Sequence, residues 1–110
     1  MRVYNMESSR TGRPVANQFV IVDDNANKIT FQSYDSMIVE IDWQNSIVTF
    51  GKDWNYSVTT GKYRNEFLAM YLPQIANTKK LKTLEQIVNA MDDKEAQYQI
   101  GAFIYTVRFQ

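Results

Sequence analysis

The pattern of apolar and polar positions changes from strand-like to helical and back along the chain. Phe19-Val20-Ile21-Val22 is a short apolar run of aromatic and β-branched residues. Asp24-Asn25-Ala26-Asn27 follows with turn chemistry, because Asn and Asp tolerate positive φ and bond their own backbone. Lys28 to Gln32 then alternates with period two, which predicts a hairpin. Met37 to Asp42 alternates again, with Met37, Val39 and Ile41 on one side and Glu40 and Asp42 on the other. Gln44-Asn45-Ser46 reads as the next turn, and Ile47 to Phe50 as a strand ended by Gly51. Tyr34-Asp35-Ser36 fits either a turn or a bulge. The whole reads as an antiparallel meander with one polar side.

From Thr60 the spacing becomes helical. Tyr63, Phe67, Met70 and Tyr71 recur on one helix face, Thr59 or Thr60 caps the first turn, and Pro73 stops the helix. Residues 74–82 read as a polar connection. Thr83 with Gln86 forms a capping box ahead of Leu84, Ile87, Val88 and Met91. Tyr98 to Phe109 is apolar on both parities, which predicts one interior strand covered on both sides. The expected fold is therefore α+β. It consists of a four-stranded antiparallel meander, two helices on one face, and a C-terminal strand returning to the sheet. Residues 1–17 read as an irregular N-terminal arm, and 18–110 as a single domain.

Composition narrows the chemistry. The 110 residues carry no Cys and no His, and their 12 basic and 12 acidic side chains balance. Disulfides, thiolate nucleophiles and structural zinc sites drop out, as does the commonest acid–base group near neutral pH. No Ser-His-Asp or Cys-His arrangement exists. The pairs Asp23/Asp24 and Asp92/Asp93 lack the converging oxygens that calcium or magnesium requires. We expect no catalytic residues, no metal and no cofactor. No stretch approaches the roughly 20 apolar residues that span a bilayer, and the expected setting is cytoplasmic. Zero net charge gives no global pull toward nucleic acid and favours self-association, so a homo-oligomer is compatible with the sequence.

The segment around the change of period holds the densest candidate chemistry. Trp54, Tyr56, Thr59, Thr60, Lys62, Tyr63 and Arg64 combine aromatic faces, hydroxyls and bases where a strand gives way to a helix. A helix start suits an anion, and an aromatic face suits a base. The simpler reading is a helix cap beside buried aromatics. Lys79, Lys80 and Lys82 form a basic loop that either contacts phosphates or is merely solvated. Gly61 lacks the spacing of a phosphate-cradling loop.

Two stretches, FQSYDS followed by Ile38 and DWNYSVTTGKYRNEFL, preceded by RPVANQFVI, carry a resemblance. The arrangement, over residues 12–68, is similar to small uncharacterised proteins of phages, prophages and plasmids of Gram-positive bacteria. It implies a mobile-element origin, a host-cell cytoplasm and no transferable catalytic residue. The expectation is an accessory protein that binds and modulates a host protein. The alternative is a nucleic-acid-binding module contacting phosphates through Lys62, Arg64 and the Lys79 to Lys82 loop.

Overall fold

A computed structural model describes residues 1–110. The strands are β1 (Arg2–Glu7), β2 (Pro14–Asp23), β3 (Lys28–Ser33), β4 (Ser36–Asp42) and β5 (Ile47–Phe50). Two helices follow, α1 (Val58–Tyr71) and α2 (Thr78–Asn89), joined by a 3-10 turn at Pro73–Ile75. The chain ends in β6 (Glu95–Ile100) and β7 (Phe103–Phe109).

All strands join one seven-stranded sheet in the order β1-β2-β3-β4-β5-β7-β6. The expected four-stranded antiparallel meander is thus corrected to a larger, mixed sheet. β1 to β5 run antiparallel in chain order, and β7 then lies parallel to β5. The two helices carry the chain from β5 to the far edge. It returns there as β6, turns at Gly101 and inserts β7 between β6 and β5. Burial explains this order. β7 brings the buried Tyr105 and Val107, whereas β6 is polar and suits an open edge. The predicted single C-terminal strand is therefore a hairpin. It is not covered on both sides, since Phe103 and Ile104 are exposed.

The predicted irregular arm also differs. Arg2–Glu7 is the edge strand β1, and β2 starts at Pro14. β1 looks polar because one of its faces meets solvent. Met6 alone among its residues is fully buried.

Register separates the two faces. Tyr4, Val20, Phe31, Val39, Phe50 and Phe109 stand in one cross-strand row facing the helices. The neighbouring row on the other face runs Val3, Ile21, Thr30, Glu40, Thr49, Arg108 and Glu95. Arg108 Nε donates to Glu95 Oε1 there at 2.8 Å. On the helix side the Phe67 ring of α1 stacks on Phe31 at 5.8 Å. Leu81, Leu84 and Val88 of α2 join the same core.

Both helix starts differ from the expectation. Ser57, not Thr59 or Thr60, caps α1, and its Oγ accepts from the Thr60 amide at 3.1 Å. Asn77 caps α2, accepting from the Lys80 amide at 3.1 Å. Lys79, Lys80 and Lys82 therefore sit in the first turns of α2, not in a loop. Thr83, expected as a cap, lies inside the helix and donates to the Lys79 carbonyl. An Asn ahead of a lysine-rich turn competes well with Thr for the cap, and tertiary burial of Leu81 favours the earlier start. No helix is long and apolar enough to cross a membrane.

Candidate functional site

The β3–β4 turn and the β5–α1 loop meet beside the start of α1. The turn is tight: Ser33 pairs with Ser36, leaving Tyr34 and Asp35 at the tip. This settles Tyr34-Asp35-Ser36 as a turn. A separate bulge interrupts the ladder between Phe31 and Gln32. Tyr34 has φ of 54°, a left-handed conformation that costs a bulky residue about 1–2 kcal/mol. Its amide is held by the Asn17 carbonyl at 2.7 Å. The fold covers its side chain only in part, since Tyr34 is 56% exposed.

The β5–α1 loop starts at Gly51, whose amide donates to the Ile38 carbonyl at 2.9 Å. A Cβ at Gly51 would fall on the Met37 carbonyl oxygen, so only glycine fits this approach. Two side-chain ties join loop and turn. Ser36 Oγ donates to Asp53 Oδ2 at 3.0 Å. The Ser33 and Thr60 hydroxyls bond at 3.0 Å, both buried. Between them opens a groove of about 520 Å³. Tyr34, Asp35, Asp53, Tyr56 and Thr59 line it, with Ser33 and Thr60 as floor. No basic side chain lines it, so its polarity is acidic and hydroxyl-rich.

Arg64, on α1, is the fold's most unusual residue. It is 0% exposed, and none of the ion pairs involves it. Its guanidinium instead donates to neutral oxygens. Nη1 reaches the Trp54 carbonyl at 2.8 Å and Asn55 Oδ1 at 3.3 Å. Nη2 reaches Thr78 Oγ1 at 2.6 Å and Asn65 Oδ1 at 3.0 Å, and Nε reaches Asn65 Oδ1 at 3.1 Å. The Trp54 ring lies 5.1 Å from the guanidinium carbon. Burial lowers the pKa of Arg64 to about 10, still far above neutrality. Arg64 thus clamps the β5–α1 loop, α1 and the start of α2 together.

The residues singled out from the sequence fall into two groups. Trp54, Thr60, Tyr63 and Arg64 are buried. Trp54 packs edge-on against Phe50 and Phe109, and its indole N–H donates to Glu85 Oε2 at 2.8 Å. It offers no stacking face to solvent, and Arg64 offers no free charge. Tyr56, Thr59, Lys62, Lys79, Lys80 and Lys82 are exposed. Tyr56 and Thr59 line the groove, whereas Lys62 borders a second depression with Val58, Asn65 and Thr78.

Sequence reasoning passed over Val58, which is 92% exposed at the first position of α1. It also left the role of Tyr34 open. Its strained backbone has no signature in residue type. Gln18, opposite Ser33, is likewise buried, with Oε1 unpaired. No three acidic side chains gather closely enough to hold a metal ion.

No curated protein and no solved structure matches this chain. A family model does match it, over residues 1–89, from β1 to the last residue of α2, and so spans every residue of the groove and of the Arg64 clamp. On that match the chain belongs to the family of unknown function DUF8033.

Proposed function

We propose that this protein works by binding another protein, without catalysis, through the face formed by the β3–β4 turn and the start of α1. The observation that carries this reading is a cluster of exposed apolar surface around two concavities. Tyr34, Tyr56 and Val58 are 56%, 73% and 92% exposed. Apolar and aromatic side chains gathered at a concave surface are what protein interfaces use as anchors. The strain at Tyr34 adds support, because strained backbone gathers at binding surfaces and this tyrosine is more exposed than buried. The FQSYDS and DWNYSVTTGKYRNEFL segments supply the two walls of the groove. Their resemblance to phage, prophage and plasmid proteins supports a host protein as the partner. The absence of His and Cys fits binding better than turnover.

The test is capture from host lysate by the full chain and by a Tyr56→Ala/Val58→Asp variant. Both sites are exposed, so stability should change by no more than about 0.5 kcal/mol. Loss of two anchors should weaken capture by about tenfold or more. A Phe103→Ser control, on the exposed terminal hairpin, should bind as the wild type does. No stoichiometric partner, or equal retrieval by all three proteins, would remove this reading.

Tyr34→Asn separates strain from recognition. Asn accepts left-handed backbone readily, so the melting temperature should rise, by an amount equivalent to about 1 kcal/mol. Partner affinity should fall. A variant both less stable and equally competent would show that the tyrosine serves the fold.

Contact with nucleic-acid phosphates is a second reading, favoured by the exposure of Lys62, Lys79, Lys80 and Lys82. Zero net charge and the carboxylates of Asp35 and Asp53 in the adjacent groove weigh against it.

A further inference from the structure

Beside the groove lies a depression of about 560 Å³, bordered by Asn55, Val58, Gly61, Lys62, Asn65 and Thr78. No carboxylate lines it. Arg64 lies directly beneath. A Cβ on Gly61 would meet its guanidinium nitrogens at 3.6 and 3.8 Å. Three of the lining side chains, Asn55, Asn65 and Thr78, are themselves acceptors for Arg64.

That arrangement polarises the depression. Arg64 engages oxygens of Asn55, Asn65 and Thr78 as acceptors, while the Asn55 amide nitrogen and the Thr78 hydroxyl remain donors. Asn55 turns Oδ1 to the guanidinium, and its Nδ2 remains as a donor. Thr78 Oγ1 accepts twice, from Arg64 Nη2 and from Asn65 Nδ2 at 3.2 Å. Both its lone pairs are then used, and its own O–H is left as a donor. Lys62, exposed and with its ammonium 5.2 Å from the Tyr63 ring, borders the rim. The positive ends of α1 and α2 reinforce the same sign, and neither helix has an acid in its first turn. The buried cation makes no ion pair within the chain, and Lys62 is the one ionisable side chain bordering the depression above it.

We infer that this depression receives a carboxylate from the protein partner, an Asp or Glu side chain whose apolar neighbour covers Val58. The inference rests on the protein-binding reading and adds the partner's chemistry. A carboxylate bridges the Thr78 hydroxyl, the Asn55 amide and Lys62, and neutralises the field of Arg64 without touching it. A phosphate chain fits less well. Ser57 borders both concavities, so a polyanion leaving the depression on that side meets Asp35 and Asp53. A protein surface can instead match one positive and one negative concavity together, which is electrostatic complementarity of the ordinary kind.

The test uses isotope-labelled full-length protein at constant ionic strength, followed by amide and side-chain NMR shifts. The probes are sodium acetate, an acetylated and amidated Glu-Leu dipeptide, and an oligothymidylate. Acetate and the dipeptide should both shift Asn55, Val58, Lys62 and Thr78, with the dipeptide acting at about tenfold lower concentration. Lys62→Glu should weaken the dipeptide by about tenfold and favour a blocked Lys-Leu dipeptide instead. Shifts spread equally over Lys82 and Lys94, or a Lys62→Glu variant that responds as the wild type does, would overturn the inference. Tighter binding of the oligothymidylate at the same residues would assign the site to nucleic acid and overturn it too. None of these outcomes alters capture through Tyr56 and Val58, so the two readings fail separately.

Discussion

An Arg64→Met variant should lose about 3 kcal/mol of stability, read as a lower urea midpoint at unchanged slope. Two opposing terms decide the figure. Removing the guanidinium ends the desolvation cost of a buried charge, which favours the variant. It also breaks five charge-assisted hydrogen bonds, leaves the Trp54 carbonyl and the Asn55 and Asn65 side-chain oxygens without that donor, and takes one of two donors from Thr78 Oγ1. Hydrogen bonds to a charged group contribute about 1.5–3 kcal/mol each, so the second effect wins even after water enters from the depression above. The ordering of variants is the sharper test. Arg64→Lys keeps the charge but replaces a planar fork by a point donor, which cannot span acceptors on three separate segments. It should fall between the wild type and Arg64→Met. If Arg64→Met were as stable as the wild type, the buried cation would be a burden retained for the anion site alone.

Gly51→Ala is expected to cost a similar amount, about 3 kcal/mol, for a purely steric reason. The added methyl would coincide with the Met37 carbonyl oxygen, a backbone atom in the β4 strand beside the bulge. A side chain would rotate away, but a backbone carbonyl held in a sheet cannot. The β5 end and the loop to α1 must move instead, which disturbs the Gly51 amide bond to Ile38 and the position of Trp54. Chemical denaturation reads the loss. Indole fluorescence should change in the folded state, because Trp54 packs edge-on against the stacked Phe50 and Phe109 rings. An unchanged midpoint would show that the loop and β4 move apart at little cost.

Much of the site was legible in outline and wrong in detail. The Trp54 to Arg64 segment stood out because aromatics, hydroxyls and bases crowd together where the period changes. Which of them face solvent could not be read, because burial depends on what lies across the fold. Trp54 is buried because Phe109, at the other end of the chain, closes over it. Arg64 looked like a surface cation, since arginine is rarely fully buried. Acceptors on 54, 55, 65 and 78 make the exception, and only folding assembles them.

The alternation from Phe19 to Phe50 and the helical spacing after Thr60 were sufficient by themselves for strands, helices and an α+β class. Those are local properties, set by how each residue's neighbours share a face. The strand order, the parallel pairing of β7 with β5 and the recruitment of β1 as an edge were decided by the tertiary structure. They follow from competition for burial between distant segments, and no local period encodes who wins. The candidate site belongs to that second category. Its groove and its buried, unpaired cation exist only where the β3–β4 turn, α1 and the start of α2 are brought together, because burial and hydrogen-bond partners are shared between residues far apart in the chain.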